Sequence, residues 1–216
     1  MVGTVTMRIG TVYLIAFCVM LPSVPERLHR IVQTPISIAL LAPQEVGESL
    51  VNQVCAETDA IWRAAGIVFD CHRVASNEGR TGQLEVTIDD CWSTRTLAES
   101  KTTLGWITFT DAGPEPIIHL SRASIEDLLF HTARFTGITR FTRETMVGRA
   151  LGRALSHELG HYLLRTKAHT SRGLMRATWS AEDFFAMPRD RFELSVEQQR
   201  TAAERAEHER LIQENH

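Results

Sequence analysis

The sequence predicts an α+β fold with a mixed β-sheet, and three observations carry this. Short apolar or alternating segments suited to strands fall almost entirely before residue 122, whereas the longest helical patterns come after it. A chain of 216 residues with 44% apolar and 23% charged residues fits one globular domain with a sizeable core. No repeat or low-complexity stretch suggests a solenoid or a linker.

The elements follow in order. Arg8 precedes an apolar run over 11–21 that ends before Pro22, the layout of a secretory signal and short for a membrane span. Residues 1–24 are therefore expected to be a signal peptide or N-terminal anchor, with the folded domain at 30–216. "ISIALL" at 36–41 predicts a buried strand. Pro43 is expected to open a helix to about Ala65, because Val46, Leu50, Val54 and Ile61 recur on one face and Gly66 supplies a left-handed stop. "IVFDC" at 67–71 is the next strand. At 84–89 the alternation is strict, with Leu84, Val86 and Ile88 on one side. Strands at 104–110 and 116–121 flank "DAGPEP", a turn by composition. Ser124 with Asp127 is expected to cap a short helix, and Thr142 or Thr145 to open a long one ending near Leu164. Ser195 with Gln198 forms a capping box for a final charged helix.

A formal net charge of −3 gives no reason to expect nucleic acid or an anionic membrane as partner. A membrane enters only if the N-terminal apolar segment is retained. Of the four cysteines, Cys18 belongs to that segment. Cys71 and Cys91 lie at the ends of two expected strands and suit a disulfide in an oxidising compartment, whereas Cys55 reads as a small buried residue.

The helix expected over 142–164 carries the chemistry. His157 and His161 are four residues apart, so they project about 40° from one another, one turn apart on the same face. That separation suits two imidazoles binding one metal ion. Glu158 borders the same face, where a carboxylate reaches a water at the metal without being a ligand. Gly148, Gly152, Ser156 and Gly160 form a row of minimal side chains that lets another element approach closely. Val147, Leu151, Leu155 and Leu159 form the neighbouring buried row, interrupted in mid-helix only by Arg149 and Arg153. Polar groups on such a helix cost several kcal/mol unless compensated, and a metal compensates them.

With these residues the chain resembles the zincins, zinc metallopeptidases with His-Glu-x-x-His, and within them the metzincins. His157, Glu158, His161, His169 and Met175 match, in order, the two helix ligands, the base, the third histidine and the methionine of the turn beneath the metal. The resemblance covers 157–175 in motif and most of 36–212 in layout. It implies an early helix under a mixed sheet, a substrate-aligning edge strand in the region of "IIHLS", a buried active-site helix and a C-terminal helix. The spacing departs from the metzincin pattern: Leu164 and Lys167 stand where that pattern has glycine and the third histidine, and His169 comes eight residues after His161. A helix continued to residue 169 would carry that side chain about 12 Å onward, so the chain must leave the helix near Leu164 and fold "RTKAH" back. Gly173 then permits the reversal that sets Met175 below the histidines.

The resemblance implies one catalytic Zn2+ held by His157, His161 and His169, with Glu158 as general base in hydrolysing a peptide or protein substrate. The apolar run after Arg8 and, more weakly, the cysteines lead to the expectation of a secreted or periplasmic protein. Tyr162 points about 100° from His161 and reads as packing, and His119 as surface. Two alternatives stay open: an inactive zinc-binding module, and a gluzincin-like hydrolase with Glu182 or Asp183 as third ligand.

Overall fold

A computed structural model of the chain describes residues 35–74, 83–89, 103–132 and 137–214. The expected signal or anchor at 1–24 and Cys91 lie outside the described residues. Among the described residues five strands form one mixed sheet in the order β2-β1-β3-β5-β4. They are β1 (Ile36–Leu41), β2 (Phe69–Val74), β3 (Leu84–Asp89), β4 (Gly105–Thr110) and β5 (Gly113–Ser121). Strand β1 pairs in parallel with β2 and β3, β3 in parallel with β5, and β4 runs antiparallel at the edge. The α+β expectation holds. The alternation expected in β3 is also present, with Leu84, Val86 and Ile88 buried and the residues between them half-buried.

The hairpin between β4 and β5 is tighter than "DAGPEP" suggests. Only Asp111 and Ala112 connect the strands, and Thr110 already faces Gly113, whose φ is 123°. A residue with a side chain is strained there, so glycine permits the short turn. The pairing also corrects the expected edge: "IIHLS" belongs to β5, which lies between β3 and β4, and among the described residues β4 is the edge strand there. His119 is accordingly not a bare surface residue. Its ring stacks on Trp106 of β4 at 4.9 Å between centroids.

Helix α1 (Glu48–Arg63) starts five residues after Pro43. The Arg73 guanidinium takes the carbonyls of Ala42, Pro43 and Val46, which fixes that stretch as a turn rather than a first helical turn. Gly66, at φ 78°, follows the end of the helix as expected. Cys55 on α1 is bonded to Cys71 on β2, with Cα atoms 5.6 Å apart. This overturns both the Cys71–Cys91 pairing and the reading of Cys55 as an isolated buried residue. Helix α1 lies against β2, and that juxtaposition is invisible to strand-end arithmetic.

Helix α2 (Arg122–Phe130) is capped by Ser121, whose Oγ accepts from the Ser124 N–H, so the chain turns from β5 directly into the helix three residues earlier than expected. Helix α3 (Arg140–Leu164) begins at Thr139, whose Oγ1 accepts from the Thr142 N–H at 3.2 Å. Helix α4 (Ala181–Phe185) is one short turn capped by Ser180. The final helix, α5 (Val196–Glu214), carries the expected capping box, with Ser195 and Gln198 exchanging bonds of 3.0 and 3.3 Å. Near its end Gln213 bonds both backbone groups of Ser37, tying α5 to β1. Among the described residues no helix is long and apolar enough to cross a membrane.

The core lies between the sheet and α1 with α3. The small-residue row on α3 serves the expected close approach. A Cβ at Gly152 would lie 2.7 Å from Glu57 Cβ and 2.8 Å from the Val54 carbonyl oxygen, and one at Gly148 would lie 2.7 Å from Gln53. Thr58 Oγ1 donates to the Gly152 carbonyl across the same seam. Val147, Leu151, Leu155 and Leu159 are buried in the neighbouring row.

Candidate metal centre and cleft

The rings of His157 and His161 each meet a main-chain carbonyl, and the chain reversal after α3 brings His169 to them. Helix α3 ends at Arg165, which takes a left-handed conformation (φ 50°) although it is not glycine. Its guanidinium bonds the Ala112 carbonyl at the tip of the β4–β5 hairpin, a tertiary contact that offsets the strain. The reversal carries the Thr166 N–H back to the His161 carbonyl and the Thr166 carbonyl to the His161 ring. Thr166 Oγ1 then accepts from the Ala168 N–H, and the next residue is His169. The helix therefore stops where the spacing demands, through an arginine that the sequence gives no reason to place there.

The loop over 170–176 closes on itself, with Thr170 N–H donating to the Met175 carbonyl and Arg176 N–H to the Gly173 carbonyl. Gly173 sits at φ 77°, and a Cβ there would lie 2.5 Å from the Glu193 carbonyl oxygen. Met175 is buried directly against Gly160, whose missing side chain leaves room for the thioether. The Leu174 carbonyl beside it faces the His157 ring.

These contacts fix the proton positions. His157 Nδ1 lies 2.8 Å from the Leu174 carbonyl oxygen, and His161 Nδ1 lies 2.7 Å from that of Thr166. A carbonyl only accepts, so both Nδ1 atoms carry the proton and both Nε2 atoms present lone pairs. His157 Nε2 is 3.1 Å from His161 Nε2 and 3.3 Å from His169 Nε2. Lone pairs aimed together at such distances repel unless a cation lies among them. A tetrahedral ion with metal–nitrogen distances of about 2.05 Å places its nitrogens about 3.3 Å apart, close to these separations. Among the described residues His157, His161 and His169 form the group able to hold a metal ion, and the donor set fits one.

The electrostatics agree with that use. Burial pushes the His157 imidazolium down to about 4, and the His161 and His169 rings push the same way against the Leu174 carbonyl. Burial first, and then His169, also lowers His161. Both rings are thus neutral at physiological pH, as ligands must be. Glu158 is 7% exposed, and burial pushes its carboxyl up to about 8. It faces β4, where a Cβ on Gly105 would lie 3.3 Å from Glu158 Cγ.

An open cleft of 1010 Å³ runs between β4 and this centre. The three histidines and Glu158 line it, with Trp106, Leu128, Trp179 and Phe184 among its walls. Glu182 and Asp183 do not join the histidines. Asp183 pairs with Arg191 at 2.6 Å, Glu182 is exposed, and Arg153 grips the Asp183 and Phe184 carbonyls, which fixes how α4 is presented. Tyr162 is packing, as its direction on the helix implies: its hydroxyl donates to Glu209 of α5.

Sequence reasoning missed the support behind the centre. Arg153 and Glu57 are fully buried and paired at 2.9 Å, and Arg189 closes on the second Glu57 oxygen. Arg153 also covers the Phe192 ring at 4.4 Å, and Phe192 stacks on Trp179. The only signal for Arg153 was its charge on a helix that otherwise had to be buried. Glu57 had none. Comparison of the chain with protein-family models, curated proteins and solved structures yields no match, so the reading rests on the site itself.

Proposed function

We propose that the chain is a metzincin-like, zinc-dependent endopeptidase. One observation carries this: three imidazole Nε2 atoms converge, two of them locked in the ligating tautomer by main-chain carbonyls, beside a buried carboxylate that has no partner among the described residues. His157, His161 and His169 would hold the metal. A zinc ion so held supplies Lewis acidity to a substrate carbonyl and lowers the pKa of water.

The protein's own residues do the rest. The edge of β4, unpaired among the described residues, aligns an extended peptide by main-chain hydrogen bonds, as exposed sheet edges do. Glu158 accepts a proton from the attacking water, whose oxygen bonds to the scissile carbonyl carbon. When the C–N bond breaks, Glu158 passes that proton to the departing amine. The Leu174 and Thr166 carbonyls hold the imidazoles in register. The oxidised Cys55–Cys71 pair and the apolar run after Arg8 support an exported protein.

The test is cleavage of a general peptide mixture, read by mass spectrometry, with and without a chelator. Cleavage at internal bonds that stops on chelation and returns with zinc is the expected result. Cleavage indifferent to chelation, or none by zinc-loaded protein, refutes the proposal.

A further inference from the structure

The charged side chains lining the cleft are unevenly signed. Among the described residues Glu158 is the one acidic member of that lining, and the other two charged members are Lys167 and Arg176. A chain of net charge −3 therefore presents a cleft with an excess of positive charge. Both cations rest on aromatic rings that also line the cleft, Lys167 Nζ 5.1 Å from the Phe109 centroid and Arg176 Cζ 5.3 Å from the Trp179 centroid. Among the described residues neither has a carboxylate partner. A charge held over a ring keeps its position at little entropic cost yet remains free to pair with a ligand.

The two cations mark opposite ends of the histidine row. Lys167 follows the C-terminal end of α3, and Phe109 beneath it lies at the far end of β4 from Gly105, which faces Glu158. Arg176 belongs to the other end. Its platform, Trp179, stacks on Phe192 at 4.2 Å, and Phe192 lies under Arg153, one turn of α3 before His157. The wall between is largely apolar, with Trp106, Ile107 and Leu128. Low-dielectric walls strengthen the field of the cations they flank.

We propose that the cleft selects acidic peptides, with Lys167 and Arg176 reading carboxylate side chains on the two sides of the scissile bond. The inference deepens the peptidase reading and rests on it for the word scissile, while the selection itself is a binding property of the cleft.

The experiment uses zinc-loaded Glu158→Gln protein, which is expected to bind without turning over. Its probes are fluorescent peptides, acetylated and amidated so that terminal carboxylates contribute nothing, in matched glutamate, glutamine and lysine series. Anisotropy at low salt should show the glutamate series binding about tenfold tighter than the glutamine series, with the gap narrowing as salt rises. Lys167→Gln and Arg176→Gln should each remove about threefold of that preference, while affinity for the glutamine series stays unchanged and serves as the check on folding. Lys167→Glu should shift preference towards the lysine series. Equal binding of the glutamate and glutamine series, or a preference that survives both substitutions, overturns the proposal. Wild-type cleavage is measured in parallel. Cleavage without acidic preference sinks the selection and leaves the peptidase, whereas acidic preference without cleavage of any peptide sinks the peptidase alone.

Discussion

Gly152→Ala tests the seam on which the site is built. An added methyl would lie 2.7 Å from Glu57 Cβ and 2.8 Å from the Val54 carbonyl oxygen, and carbon contacts prefer about 3.5–4.0 Å. The two helices would have to part by roughly 1 Å, because neither atom sits at the end of a rotatable side chain. Glu57 is pinned as well, by Arg153 on one oxygen and Arg189 on the other. Overpacking of this kind costs about 1–3 kcal/mol, while alanine in place of a helical glycine returns up to about 1 kcal/mol. The net expectation is a loss of about 0–2 kcal/mol, with about 1 kcal/mol at its centre, or a Tm lower there by about 2–4 °C for a unit of this size. Thermal and urea unfolding of the purified variant against wild type are the assays. A Tm that rises, as it would for an unconstrained helical glycine, refutes the close approach of α1 and α3.

Three further outcomes follow from the same contacts. Arg153→Met should destabilise the fold by about 3 kcal/mol in urea unfolding, because it strips a fully buried partner from Glu57 and leaves only the half-exposed Arg189. His169→Ala should weaken zinc binding by more than about a hundredfold in competition with a chromophoric chelator, whereas Glu182→Ala and Asp183→Ala should bind as wild type; the reverse pattern would restore the carboxylate ligand. In metal-free protein, Glu158 titrates above its ordinary value of 4.5, at about 8, so its ionisation opposes folding. That penalty is absent below pH 4.5, grows between there and about 8, and is complete above. Glu158→Gln should remove this component from the pH dependence of metal-free stability in urea titrations, and an unchanged profile would contradict the burial.

What could be read from the sequence was what obeys local periodicity. The two histidines, their glutamate, the glycine row and the strict alternation of β3 follow from 3.6- and 2-residue repeats, and the structure keeps them. His169 was reachable through a length argument, since a helix continued to it would overshoot any ion held by His157 and His161, and the chain does reverse after Leu164. The means of reversal was not legible. A left-handed arginine is stabilised by a carbonyl from a hairpin more than fifty residues away, and sequence spacing carries no trace of that contact. The same holds for Cys55–Cys71, which needs α1 laid over β2, and for the edge strand, which depends on how β4 and β5 pair. The helix starts at Glu48 and Arg140 missed for a related reason. Arg73, distant in sequence, takes the Ala42, Pro43 and Val46 carbonyls before α1, and Thr139, three residues before the expected Thr142, caps α3.

The central claim is that Glu158 moves protons at a zinc site that it does not help to build. Zinc content and peptide hydrolysis of Glu158→Gln, measured on one preparation, test it most directly. The account predicts about one zinc per chain, as in wild type, with hydrolysis lower by orders of magnitude. Wild-type rates from zinc-loaded Glu158→Gln, or a variant that no longer holds zinc, would contradict it.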